Sequence, residues 1–132
     1  MMAEFGTPEG LAQAVGYTHV VSVEGARRLV FVAGQVATDA SGALVGEGDI
    51  GEQARQVYEN LGRALAAAGA RYSDVLKTTT FIVDYKPDQF GPVRAVRSVV
   101  FPQDPPANTT IGVSALFQPG YLIEVEAIAV VT

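Results

Sequence analysis

The apolar and polar positions of the chain follow two different periods, and each change of period predicts a change of element. Two runs rich in β-branched residues, "HVVSV" (19–23) and "RLVFVAG" (28–34), predict strands. The "EGAR" between them contains Gly25, which tolerates a positive φ, so the two strands are predicted to form a hairpin. The following "TDASGALVGEGD" is typical of a loop, with a short extended piece at 43–45.

A helical period begins after this loop. Asp49 is a suitable N-cap, Glu52 stands three residues later as in a capping box, and Gly69 is a natural stop. The predicted apolar face consists of Ala54, Val57, Tyr58, Leu61, Ala64, Leu65 and Ala68. The sequence therefore predicts a long amphipathic helix between Asp49 and Gly69.

The second half of the chain repeats the alternation of strand and helix. A dense β-branched run at 78–83 predicts a buried strand. A second helix is predicted from Phe90, Val93, Val96 and Val100, which are three or four residues apart, with Pro92 in the first turn. After "PQDPP", two further strands are predicted at 107–116 and 121–131.

The resulting order, ββαβαββ, predicts an α+β domain with one mixed sheet and both helices on a single face. Residues 1–132 fit one domain. The opposite face of the sheet, rich in Val, Ile and Thr, would then lack a cover. A second copy of the chain is the simplest cover, so we expect a homo-oligomer.

Composition excludes several classes of function. The net charge is −5 and the nine basic residues are dispersed, which argues against nucleic-acid binding. With no cysteine and one histidine, His19, the chain has neither thiolate chemistry nor a two-histidine metal motif. The N-terminus lacks the basic and apolar regions of a signal peptide, and no apolar stretch approaches the roughly 20 residues of a membrane helix. We therefore expect a cytoplasmic protein without membrane contact.

Polar side chains fall on the last two predicted strands. Because side chains alternate along a strand, Asn108 and Thr110 share one face of the first strand, and Glu124 and Glu126 share one face of the second. If these strands pair, Asn108, Thr110 and Glu124 would line a polar pocket in which the carboxylate positions water or moves a proton. The competing interpretation is that the strand acids are ordinary solvent-facing residues, and the pattern alone leaves both open.

Several stretches, in order along nearly the whole chain, resemble one family. They are "FVAGQ", "QARQVYENL", "AAAGA", "DVLKTTTFI", "PANTTIGVSAL" and "IEVEAIAV". The chain resembles the Rid (RidA/YjgF) family of enamine and imine deaminases. The resemblance implies a chorismate-mutase-like fold and a homotrimer with a central barrel. It also implies small-molecule pockets at the subunit interfaces and hydrolysis of reactive imines or enamines to a carbonyl compound and ammonia, without metal or cofactor.

The same resemblance implies roles for particular residues. Glu124 matches the acid that orients the hydrolytic water, Tyr17 lies within one residue of the pocket tyrosine, and Gly34 falls where backbone lines the pocket. In the family pattern "P-A-R-[ST]", the arginine binds the substrate carboxylate. The corresponding stretch of this chain is "PPANTT", so Asn108 stands in place of the arginine and Thr110 follows two residues later.

This departure from the family pattern shapes the functional hypotheses. No other arginine is obviously placed to replace the missing one, and the sequence leaves open only that Arg94 or Arg97 on the second helix does so from across a subunit interface. The leading hypothesis is a deaminase whose substrate is not one of the usual small 2-imino acids. The alternative is a non-catalytic trimer that binds a metabolite or regulates through the same cleft. A ribonuclease, also associated with the family, is disfavoured by the acidic charge.

Overall fold

Six strands and two helices are present in the computed structural model, which describes residues 2–132. The elements are β1 (Met2–Gly6), β2 (Val20–Glu24), β3 (Arg28–Gln35), α1 (Ile50–Ala67), β4 (Val75–Val83), α2 (Phe90–Val100), β5 (Ala107–Val113) and β6 (Ile123–Val131). From β2 onward the order is the predicted ββαβαββ. β1 is an additional strand that the sequence pattern did not reveal. No helix within residues 2–132 is long and apolar enough to cross a membrane.

Four of the strands form a mixed sheet in the order β3-β6-β4-β5. β6 runs antiparallel to both β3 and β4, whereas β4 and β5 run parallel because α2 connects them as a crossover. The predicted mixed sheet is therefore confirmed. It contains four of the strands, whereas the prediction placed all of the strands in one sheet.

The predicted hairpin between β2 and β3 is wrong. β2 pairs with β1 in a separate two-stranded antiparallel ribbon, and β3 pairs with β6 alone. Thr18, just before β2, is bound to Pro105 and Pro106 at the start of β5 through its hydroxyl and its backbone N–H. Since β5 and β3 are the opposite edges of the sheet, β2 crosses the end of the sheet before it reaches β3. The outer edge of β3 has no strand partner within residues 2–132.

α1 begins and ends where its sequence signals predict. The Asp49 side chain accepts a hydrogen bond from the Glu52 backbone N–H at 3.1 Å, and Gly69 adopts a φ of +73° just after the helix. The buried residues of α1 are Gln53, Ala54, Val57, Tyr58, Leu61 and Leu65. All of these except Gln53 pack in one core cluster with Val93 of α2 and with Val125 of β6, so both helices lie on the same face of the sheet, as predicted.

Gln53 is a polar side chain among the buried residues of α1, in the first turn of the helix. It is fully buried, and its amide links α1 to the segment before β6. Its nitrogen donates to the carbonyls of Gly46 at 3.1 Å and Gly120 at 2.9 Å, and its oxygen accepts from the Leu122 N–H at 2.8 Å. These three bonds satisfy backbone groups that have no strand partner.

Replacing Gln53 with leucine is expected to lower the free energy of unfolding by about 2–4 kcal/mol, because buried backbone groups lose their partners. Urea denaturation measures the change, with Gln118→Leu as the matched control in an exposed loop. Equal denaturation midpoints for the two variants would contradict the structural role assigned to Gln53.

The face of the sheet turned away from the helices carries exposed apolar side chains. Leu29 and Phe31 are 61% and 72% exposed, and Phe31 stands opposite Ile128 of β6 in the strand register. We call this side the outer face and the opposite side the helix face. The expected uncovered face is therefore present in the single chain.

Candidate functional site

The strand registers decide which of the predicted site residues can meet. Thr78 and Thr80 of β4 are buried toward the helices and stand opposite Asn108 and Thr110 of β5. Asn108 and Thr110 therefore lie on the helix face. This placement agrees with the alternation that put these two residues on one face of their strand.

Glu124 lies on the other side of the sheet. It stands opposite Phe81 of β4, while its neighbour Val125 is fully buried in the core toward the helices. β5 and β6 do not pair, because β4 lies between them. The hypothesis of one polar cluster made by Asn108, Thr110 and Glu124 is thus wrong within a single chain.

Gly34 allows the Glu124 side chain to lie against the backbone of β3. The register shifts between Val32 and Gln35, so Ala33 and Gly34 together face Glu126 in a β-bulge. A Cβ atom on Gly34 would lie 2.7 Å from the carboxyl carbon of Glu124, which is closer than packed atoms come. The bulge and the missing side chain therefore make room for the carboxylate on the outer face.

The surroundings of Glu124 change its acidity. Partial burial, and to a smaller extent the Glu126 carboxylate on the same face, raise the pKa of Glu124 above the usual value of a glutamate. The ion pairs found within residues 2–132 do not include it. Glu124 can thus hold or release a proton closer to neutral pH than an ordinary surface glutamate.

A second group of predicted site residues borders a cavity on the helix face. This cavity has a volume of about 460 Å³ and is lined by Tyr17, Asn108 and Thr110 together with residues of α2. The Tyr17 ring meets the His19 ring edge-on at 5.2 Å between centroids. We call this space the α2 cavity.

The Asn108 amide is held by hydroxyl groups of the same chain. Its heavy atoms admit either assignment of oxygen and nitrogen. In one assignment the oxygen accepts from Arg97 Nη1 at 3.3 Å and from the Thr110 hydroxyl at 3.0 Å, and the nitrogen donates to the hydroxyls of Thr78 and Thr80. In the other the oxygen accepts from these two hydroxyls. The first is favoured, because a guanidinium only donates and needs the oxygen.

Comparison with known proteins places the chain in one family. The family model described as Endoribonuclease L-PSP matches residues 7–131. The 2-iminobutanoate/2-iminopropanoate deaminase of Rattus norvegicus is 37% identical over 118 residues, which cover 89% of this chain and 82% of that protein. The chain belongs to the Rid (RidA/YjgF) family.

Solved Rid structures share the fold to different degrees. YyfB from Yersinia pestis, a protein of the conserved Rid family, is 37% identical, superposes with a TM-score of 0.92, and covers 99% of this chain and 100% of its own. Rv2704 from Mycobacterium tuberculosis is 32% identical, with a TM-score of 0.67 over 89% of this chain and 88% of its own. The α+β fold of the Rid family is therefore confirmed.

In this Rid protein the five residues predicted for the site divide between the two faces of the sheet. Glu124 and Gly34 are in contact on the outer face, whereas Tyr17, Asn108 and Thr110 border the α2 cavity. Their functional roles stay predictions. Among residues 2–132, no three His, Asp or Glu side chains lie close enough together to hold a metal ion.

Arg97 lies at the candidate site in a place that the sequence does not predict. The sequence leaves a contribution of Arg97 open only from across a subunit interface, yet Arg97 lies beside Asn108 of its own chain. Its side chain is only 7% exposed. The signal was available in the sequence, because position 97 follows the buried Val93 by four residues and so falls on the apolar face of α2.

Proposed function

We propose that this Rid protein is a deaminase that hydrolyses a reactive imine or enamine to a carbonyl compound and ammonia. One observation carries the proposal: the Glu124 carboxylate, with a raised pKa, is seated over Gly34 at a β-bulge on an open face of the sheet. Bulges commonly direct side chains at active sites. Membership of a family that includes 2-iminobutanoate/2-iminopropanoate deaminases supports the same reaction.

The chemistry needs one group that both accepts and returns a proton. Glu124 takes a proton from water while the oxygen attacks the carbon of the C=N bond, and the nitrogen becomes an amine as it is protonated. Glu124 then transfers the proton of the new hydroxyl group to the amine nitrogen, the carbon–nitrogen bond breaks, ammonia leaves, and a carbonyl forms. An enamine first takes a proton on carbon to give the imine. A carboxyl group with a raised pKa suits both directions of proton transfer.

Gly34→Ala is expected to reduce kcat by about 10-fold or more, because the new methyl group pushes the Glu124 carboxylate away from its seat. The side chain of Glu124 is flexible, so the fold and the melting temperature should change little. Steady-state kinetics and thermal unfolding test both parts. The double variant Gly34→Ala with Glu124→Asp has a shorter acid and should regain part of the lost activity. An unchanged kcat in Gly34→Ala would contradict the role assigned to Gly34 in positioning the Glu124 carboxylate.

The substrate is proposed to differ from the two small 2-imino acids for which the mammalian relatives are named. Asn108 stands where the resemblance implies a carboxylate-binding arginine, and it is neutral. It also lies on the helix face, away from Glu124. A neutral imine or an extended enamine therefore fits the outer face better than a small carboxylate.

A coupled assay tests this proposal. An amino-acid oxidase generates 2-iminobutyrate, an amine oxidase generates the neutral imine of benzylamine, and semicarbazide traps the imine that remains. Faster removal of the neutral imine supports the whole proposal. Faster removal of 2-iminobutyrate keeps the deaminase but overturns the substrate class, and no acceleration of either imine overturns the deaminase.

The alternative function is a non-catalytic trimer that binds a metabolite at the same cleft. It is favoured by one observation, namely that a single chain does not bring Glu124 and Asn108 together. It predicts saturable binding of a small molecule without product, and a Glu124→Gln variant that changes only the affinity.

We also propose that three copies of the chain assemble with their outer faces inward, as the central barrel implied by the family resemblance. The exposed Leu29 and Phe31, beside the half-buried Phe81 and Ile128, give the outer face an apolar surface that a neighbour would cover. Glu124 and Gly34 lie on this same face. The cleft between subunits would then hold the small-molecule ligand, with Glu124 at its wall.

A further inference from the structure

Two strands each have one edge without a strand partner in the part of the chain that the structure describes. β2 pairs with β1 on one side, and β3 pairs with β6 on one side. Every second residue of an antiparallel edge strand directs its backbone N–H and C=O away from the sheet. Such an edge is a template on which another strand can add.

The two open edges belong to consecutive strands, but they do not meet within one chain. Only residues 25–27 separate β2 from β3. The Thr18 hydroxyl donates to the Pro105 carbonyl at 2.5 Å, and the Thr18 N–H donates to the Pro106 carbonyl at 3.3 Å. These bonds fix the start of β2 beside β5, at the edge of the sheet opposite β3. A strand that completes the β3 edge must therefore come from another chain.

The ribbon of β1 and β2 has an apolar face that suits this edge. In the strand register Phe5 stands opposite Val21, and Ala3 stands opposite Val23, so these four side chains share one face. All four are half-buried. On the outer face of β3, Phe31 is 72% exposed, so both strands carry apolar side chains that a neighbouring strand would cover.

One register keeps the apolar side chains of the two strands together. Phe5 already stands opposite Val21, and Phe31 already stands opposite Ile128. Placing Val21 opposite Phe31 of a second copy joins the two pairs into one apolar row across four strands. A slip of one residue would put the Ser22 hydroxyl in that row, because successive side chains point to opposite faces.

The charges at the ends of the two strands decide their relative direction. If the strands run antiparallel in this register, Glu24 stands opposite Arg28 of the second copy. Both side chains are exposed in the single chain, and the ion pairs found within residues 2–132 include neither. Opposite charges directly across two strands stabilise the pairing. A parallel arrangement would place Glu24 opposite Gly34 and lose this pair, so the charges favour the antiparallel one.

We propose that β2 of one copy adds to the open edge of β3 in the next copy, antiparallel and with Val21 opposite Phe31. Because Thr18 keeps β2 beside its own β5, each copy offers one surface as donor and a different surface as acceptor. Head-to-tail contacts of this kind close into a ring when the rotation between copies allows it. The inference rests on the proposed assembly of three copies and specifies the strands that join them.

Introduced cysteines can detect this contact without background, because the chain has none of its own. The double variant Val23→Cys with Leu29→Cys places a thiol on each strand at positions that stand opposite in the proposed register. Oxidation with copper phenanthroline should form disulfides between copies, since directly opposite strand residues are close enough for this bond. Denaturing electrophoresis without reductant should then show two and three chains linked covalently. Pairing of β2 with its own β3 would give an internal disulfide at the mass of one chain.

The matched control is the double variant Ala3→Cys with Leu29→Cys. Ala3 shares a face with Val23 but lies one strand further away, about 10 Å from Leu29 of the next copy in the proposed arrangement. The control should therefore stay at the mass of one chain under the same oxidation. Light scattering on the wild type establishes separately whether three copies assemble.

Charge exchange tests the register without a disulfide. Glu24→Arg and Arg28→Glu should each raise the concentration at which half of the trimers dissociate several-fold, because like charges then face each other across the strands. Combining both changes in one chain restores opposite charges and should return this concentration toward the wild-type value. Sedimentation velocity over a dilution series measures it.

Four results would overturn the inference. A trimeric wild type whose Val23→Cys, Leu29→Cys variant forms no disulfide, or only an internal one, would keep the proposed assembly and reject the strand contact. Cross-linking of the Ala3→Cys control at the same rate would reject the register, as would a combined charge variant that dissociates as readily as the single ones. A monomeric wild type would reject the assembly itself.

Discussion

Glu124→Gln is expected to reduce kcat/KM for imine hydrolysis by about 100-fold or more, because the amide cannot accept the proton of the attacking water. The replacement keeps the size of the side chain, so its seat over Gly34 should be preserved. Rates are measured with semicarbazide competition in the coupled oxidase assay, on whichever imine the wild type hydrolyses faster. Turnover at the wild-type rate in Glu124→Gln would reject the role assigned to this residue.

Glu126→Gln is the matched control, since Glu126 is an exposed acid on the same face and two residues away. Its loss should leave the maximal rate nearly unchanged. It removes one of the causes that raise the pKa of Glu124, so that pKa should fall. Because the base must be ionised to accept a proton, the rate rises with pH through this pKa, and the acid limb of the profile should move to lower pH in Glu126→Gln.

Phe31→Glu is expected to convert the proposed trimer to monomers at micromolar concentration. A charge would replace an aromatic ring in the proposed interface, and such a buried uncompensated charge costs several kcal/mol. Light scattering after size exclusion should show the mass fall from about three times 13.8 kDa to the mass of one chain. The ring is 72% exposed in the single chain, so each monomer should stay folded.

Phe117→Glu makes the same chemical change at a loop residue that is 88% exposed. This variant should remain trimeric. A wild type that is monomeric, or a Phe31→Glu protein that is still trimeric, would contradict the proposed interface.

The elements of the fold followed from local patterns, whereas the pairing of strands did not. The bounds of α1 were predictable because Asp49 and Gly69 act on the helix ends directly. The partner of β2 was not, since the choice between β1 and β3 depends on where Thr18 is anchored near β5, far away in the sequence. β1 itself is five residues long and has no pronounced alternation of apolar and polar positions.

Only those parts of the candidate site that lie on a single strand could be predicted from the sequence. Alternation correctly placed Asn108 and Thr110 on one face of β5. Whether Glu124 joins them depends on the order of strands, and β4 between β5 and β6 separates them. Arg97 shows the same limit, because its helical position predicts burial but not the neighbour it meets.

The position of β4 between β5 and β6 also lets residues on the two faces of the sheet be substituted independently of each other. Thr78 and Thr80 are buried toward the helices beside Asn108, while Phe81 stands opposite Glu124, so neighbouring positions of one strand contact different surroundings. Substitutions on the two faces should combine additively, since the side chains share no contact. If Glu124 acts as proposed, a substitution on the helix face can change that face and leave Glu124 in place, and a substitution of Glu124 can leave the helix face unchanged.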